Sequence, residues 1–180
     1  MELTDYSAYY DLESYLFKTV HDQFASQGWL NSFDFFCIVI WKANRAKTKI
    51  AKRIRQLGNG NLDKGVHDLT IAIARAATAE EKLSVLLEHG FLLPMATAIL
   101  TVLYPNEFTM YDVRVCDALG DFHRLANLTK LSTIWAEYTR FVQSVKAATP
   151  AQLSLRDKDR YLWAKSFAQQ LTHDVEREFL

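Results

Sequence analysis

The 180-residue chain predicts an all-α fold. Apolar residues recur at three- and four-residue spacing through most of the sequence. No alternation of period two persists for a strand's length, and only three prolines and six glycines interrupt the helical patterns. The length fits a single compact helical domain over residues 1–180, which can divide into two lobes sharing a core.

The elements follow in order. A first helix is expected from about Thr4 to Gln27, with Tyr9, Leu12, Leu16, Val20 and Phe24 on one stripe and Gly28 as its stop. Asn31 or Ser32 can cap a second helix, SFDFFCIVIWK, whose apolar character on nearly every side makes it central. The basic segment NRAKTKIAKRIRQLGNG places Ile50, Ile54 and Leu57 on one stripe and its charges elsewhere. After the GNGN loop, Asp63 is the expected cap of a helix through LDKGVHDLTIAIARAA.

Thr78 and Glu81 have the spacing of a capping box and open a helix ending near His89, with Gly90 at the position that wants positive φ. Pro94 suits the first turn of the apolar helix PMATAILTVL, which Pro105 and Asn106 end. Asp112 stands at the start of a further short helix. A long amphipathic helix is expected from about Lys130 to Ala147, its stripe carrying Ile134, Trp135, Tyr138, Phe141 and Val142. Ser154 with Asp157 can cap the last helix, LRDKDRYLWAKSFAQQL.

The composition, 49% hydrophobic and 23% charged, is that of a folded globular chain. No apolar run reaches the ~18–20 residues of a membrane span, and the acidic N-terminus lacks the order of a secretory signal. A cytoplasmic protein with no membrane partner is expected. Cys37 and Cys116 sit in apolar surroundings and read as small core residues. The five histidines have no metal-ligand spacing, so no metal and no cofactor are expected.

A formal net charge of zero argues against non-specific coating of nucleic acid. The charge is nonetheless uneven. Seven basic residues and no acid lie between Lys42 and Arg55, whereas the first 34 residues hold six acids and one lysine, Lys18. Such a basic run is either a solvated helix face or a surface for a polyanion.

One stretch carries a motif. A hairpin, Gly90-Phe91-Leu92-Leu93-Pro94-Met95-Ala96, is followed at fixed distance by Asp112-Val113-Arg114-Val115. Upstream lies Trp41-Lys42-Ala43-Asn44-Arg45, and downstream Leu155-Arg156 through Leu162-Trp163. Together these patches resemble the helix-hairpin-helix DNA glycosylase superfamily, and within it the 8-oxoguanine DNA glycosylase-like branch.

The resemblance implies two helical lobes with a cleft between them, a middle lobe of about residues 42–125 and a second lobe from 1–41 plus 126–180. It implies DNA as the partner and monofunctional hydrolysis of the N-glycosidic bond of a flipped nucleotide, with Asp112 as the catalytic carboxylate. Gly90, Phe91, Leu92, Lys42, Arg45 and Arg114 are then the DNA-binding candidates, and Trp41 and Trp163 the base-stacking candidates. The physics is that hairpin N–H groups and a helix N-terminus can hold a phosphate while the nucleotide is rotated out of the stack. A carboxylate near the anomeric carbon stabilises the positive charge that bond cleavage builds there.

The departures are informative. The family's lysine position holds Pro94, so a lyase step by that route has no amine, and Lys42 is the candidate for a relocated one. The second hairpin glycine is Leu92, and no four-cysteine group is present for an iron–sulfur cluster. Two other readings stand beside the enzyme: a DNA-binding module without catalysis, in which Asp112 is only a helix cap, and a helical protein-interaction domain.

Overall fold

The computed structural model describes residues 6–177, and helices joined by short turns account for them, with no strand among the described residues. The all-α expectation therefore holds. The start expected near Thr4 lies outside the described residues. After a 3-10 turn at Tyr6–Tyr9, α1 (Leu12–Tyr15) begins where the Asp11 carboxylate accepts the Ser14 N–H at 3.2 Å. It continues through a π-helical turn (Leu16–Val20) into α2 (His21–Gln27), which Gly28 ends with φ of 76°.

Asn31 caps α3 (Ser32–Ala43), whose Phe35, Ile38 and Val39 are fully buried, as its all-round apolar sequence requires. A 3-10 turn at Asn44–Ala46 separates α3 from the basic helix α4 (Lys47–Leu57), which turns Ile50 and Ile54 inward. The cap of α5 (Leu62–Arg75) is Asn61, not Asp63: the Asn61 Oδ1 accepts the Lys64 N–H at 3.0 Å. Asp63 instead falls in the first turn, where an acid complements the helix dipole.

The capping box of Thr78 and Glu81 opens α6 (Ala79–Glu88), and Gly90 follows it with φ of 77°. Helix α7 (Leu93–Leu103) carries Pro94 in its first turn and is otherwise buried along its whole length, so it forms the centre of the fold. Then come α8 (Val113–Leu119), α9 (Leu131–Ala147) and α10 (Leu155–Arg177), the last opened by the Ser154 hydroxyl accepting the Asp157 N–H. One continuous apolar cluster, from Leu16 to Leu162, draws on both segments expected as separate lobes. Cys37 and Cys116 are buried and free, and burial pushes both thiols up to about 11.

Helices α4 and α5 meet backbone to backbone. A Cβ on Gly65 would lie 2.1 Å from the Ile54 carbonyl oxygen, so the crossing requires a residue of poor helix propensity in the first turn of α5. Gly65→Ala is expected to lower stability by about 1–3 kcal/mol despite alanine's better helix propensity. Urea denaturation of the purified variant reads this directly, and a stabilised variant would refute the close crossing.

Candidate functional site

The candidate site is assembled on a short non-helical segment, Phe108 to Asp112, whose backbone groups are satisfied by side chains from three helices. On α9, the Tyr138 hydroxyl accepts the Thr109 N–H at 3.1 Å and donates to the Thr109 carbonyl at 2.7 Å. On α10, Asp159 Oδ2 accepts both the Thr109 hydroxyl and the Met110 N–H, each at 3.1 Å. On α7, the Thr97 hydroxyl accepts the Tyr111 N–H at 3.0 Å while donating to the Leu93 carbonyl. A buried, unpaired backbone group costs about 1–3 kcal/mol, so these partners fix the segment in one path.

That path delivers Asp112 to a pocket of about 810 Å³, shared by α3, α8 and α10. The carboxylate divides its work. Oδ1 caps α8 by accepting the Arg114 N–H at 3.0 Å, and Oδ2 accepts a hydrogen bond from Lys42 Nζ at 2.5 Å. Lys42 also touches Met110 Sδ at 3.2 Å. The cap and the pocket-facing acid are thus one residue, with one oxygen on the helix end and the other on Lys42.

The pocket's charges are paired. Arg156 binds Glu13 at 2.7 Å and also pairs with Asp159, and Arg160 reaches Glu13 at 3.4 Å and Asp157 at 3.2 Å. Trp41 and Trp163 both line the pocket. The Arg156 guanidinium lies over the rings of Phe17 and Trp41, 4.8 and 5.3 Å from their centroids. The lining thus combines paired charges with aromatic walls.

The sequence candidates are distributed as follows. Lys42, Asp112, Trp41 and Trp163 come together at the pocket. Arg114 is not among its lining residues, but its guanidinium lies 5.3 Å from the centre of the Trp163 ring. Arg45 is exposed on the Asn44–Ala46 turn, away from the lining. At the hairpin, the N–H groups of Gly90 and Phe91 already donate to the carbonyls of Leu87 and Leu86, closing the end of α6. The Phe91 side chain is buried against Phe35, whereas Leu92 is 74% exposed. The N–H groups that the hairpin leaves for an anion, among the described residues, are those of Leu92 and Leu93 at the start of α7.

Basic helix α4 reaches the hairpin through Arg53, which donates to the Gly90 carbonyl and lies where a side chain on Gly90 would sit. Lys47, Lys49, Lys52 and Arg55 are exposed, and no ion pair engages them among the described residues. This keeps α4 a positive surface, consistent with a polyanion partner as well as with simple solvation.

Sequence reasoning did not single out Tyr138, Asp159 or Arg156 as site residues. Tyr138 reads as one more aromatic of the α9 stripe, and nothing local shows its hydroxyl facing a loop 29 residues away. Arg156 and Asp159 did carry a signal, an acid–base pair at i,i+3 on one helix face. No group of three or more His, Cys, Asp or Glu side chains is placed to hold a metal ion among the described residues, and no helix among them is long and apolar enough to cross a membrane. No protein-family model, curated protein or solved structure matches the chain.

Burial dominates at Asp159. Desolvation raises its carboxyl to about 6, outweighing the Arg156 charge and the hydrogen bonds from Met110, Thr109 and Arg156 that pull it down. Because the folded value lies above the unfolded one, this residue's contribution to stability is fully present below about pH 4 and is lost as pH rises through about 6. The stability difference between wild type and Asp159→Asn is therefore expected to decline between pH 4 and 6 and to level off above. Denaturant titrations across that range measure it, and a difference that grows with pH would contradict the assignment.

Proposed function

We propose that the protein excises a base from DNA, with Asp112 as the carboxylate at the anomeric carbon. The observation that carries this reading is Asp112 itself: one oxygen caps α8 while the other, bound to Lys42, faces a pocket with tryptophan walls. In this reading the target nucleotide is rotated out of the stack into the pocket, at a cost of a few kcal/mol. As the glycosidic bond lengthens, the sugar gains positive charge and the Asp112 carboxylate stabilises it. Water attacks C1′, the C1′–N bond breaks, and the base departs with the bonding electrons and takes up a proton. Lys42 holds the carboxylate in place, and the exposed cations of α4 with the Leu92–Leu93 end of α7 hold phosphates outside the pocket. The helix-hairpin-helix arrangement, with a lobe on each side of the pocket, belongs to this proposal.

The test is base release from a panel of oligonucleotides carrying damaged or mismatched bases, in single- and double-stranded form. Asp112→Asn is expected to lower the excision rate by about 100-fold or more. Unchanged release by this variant would remove Asp112 from the chemistry. Salt-dependent DNA binding with no release from any substrate would select the non-catalytic module instead.

The same ion pair favours a second reading of the attacking group. Lys42 Nζ can pass a proton to Asp112 Oδ2 and attack C1′. The C1′–N bond breaks, and the base leaves with the bonding electrons and takes the proton from Asp112. The adduct's nitrogen then loses a proton to the ring oxygen as the C1′–O4′ bond opens to give the Schiff base. Borohydride reduction discriminates the two. Under the water route no protein–DNA adduct is trapped. Under the amine route an adduct forms and disappears in Lys42→Gln.

A further inference from the structure

Beyond the pocket, α10 presents two aromatic rings to solvent. Trp163 and Phe167, one helical turn apart, stack nearly parallel, with an interplanar angle of 8° and centroids 5.6 Å apart. Each is 43% exposed, unlike the inward-facing aromatics of α9. The Arg114 guanidinium lies over both, 5.3 Å from the Trp163 centroid and 5.4 Å from that of Phe167. Its hydrogen-bond partner is Gln170 Oε1 at 3.3 Å, and it forms no ion pair with an acid among the described residues. Trp163 also belongs to the wall of the Asp112 pocket, so the ring pair continues directly from the pocket onto the outer surface.

We infer that Trp163 and Phe167, with Arg114, form a stacking platform for unpaired nucleotides next to the one in the pocket, so that the DNA substrate is single-stranded around the target. This rests on the proposed DNA reading and adds the strand state to it. Flat exposed rings bind the π-face of any base, which is available only when the base is unpaired and unstacked. An arginine with no carboxylate partner leaves its charge for the phosphate that joins two such bases. The pocket's own cations cannot serve in this way, because acids already engage them. A second copy of the chain fits the patch poorly. An isologous contact centred on it would bring two Arg114 cations together, neither of them ion-paired within its own chain among the described residues.

The platform is tested by binding rather than by catalysis, which separates its failure from that of the excision reading. Fluorescence anisotropy with a labelled oligothymidine single strand and with a duplex of equal length compares the 180-residue chain with Trp163→Ala, Phe167→Ala, Phe167→Leu and Arg114→Gln. The wild type is expected to prefer the single strand. Trp163→Ala and Phe167→Ala are each expected to weaken single-strand binding by about tenfold or more, with duplex binding little changed. Phe167→Leu keeps apolar area without a ring and is expected to behave like the alanine variant. Arg114→Gln is expected to lessen the salt dependence of binding. Circular dichroism confirms that the variants fold. Single-strand affinity equal to wild type in both alanine variants would overturn the platform, even if Asp112→Asn abolishes base release. Dissociation of a dimer by Trp163→Ala, with DNA binding unchanged, would overturn it in favour of a second copy. Loss of single-strand affinity in a protein that releases no base would uphold the platform and reject the excision chemistry.

Discussion

The site depends on how one irregular segment is held. Residues 108–112 run between α7 and α8 with their polar backbone largely buried, and a buried N–H or carbonyl without a partner is costly. Tyr138, Asp159 and Thr97 reach this segment from three different helices and satisfy it side chain to backbone. Each anchor sits in a packed element, so the core holds a segment that has no regular structure. Asp112 is the last residue of that path, and its direction follows from the anchors before it.

Charge in this region is arranged by compensation. Asp159 is almost wholly buried, and its ionisation is opposed by desolvation and supported by Arg156. Arg156 in turn lies over two aromatic rings and binds Glu13, which ties the first helix to the last. The network pairs the pocket's cations with acids, while α4 and Arg114 carry positive charge that no acid pairs among the described residues. A chain of zero net charge can therefore present local positive surfaces beside a pocket whose charges are paired.

Helix boundaries were legible because their signals are local. Thr78 with Glu81, Ser154 with Asp157, Gly28 and Gly90 act within three or four residues of themselves, and a cap is chosen by that neighbourhood. The one misplaced cap, Asp63 for Asn61, arose from two polar residues competing two positions apart, which sequence spacing does not resolve. Gly65 shows the opposite limit. As a glycine in the first turn of a helix it looks like a weak point, and only the approach of the Ile54 carbonyl explains it.

By itself, the sequence determined the all-α class, the order of the helices, most of the stripes that face the core (Tyr9 and Leu57 are exposed instead) and the position of Asp112 at a helix start. All of these follow from periodicity and from contacts within one turn. Only the tertiary structure decided that Lys42, 70 residues away, would bond the free oxygen of Asp112, or that Tyr138 and Asp159 would hold the segment before it. It also decided that Trp163 and Phe167 would face solvent and not the core. The physical reason is the range of the interactions. Capping and amphipathicity are written in neighbouring residues, whereas a pocket is made where distant helices cross, and the crossing is set by the packing of the whole core.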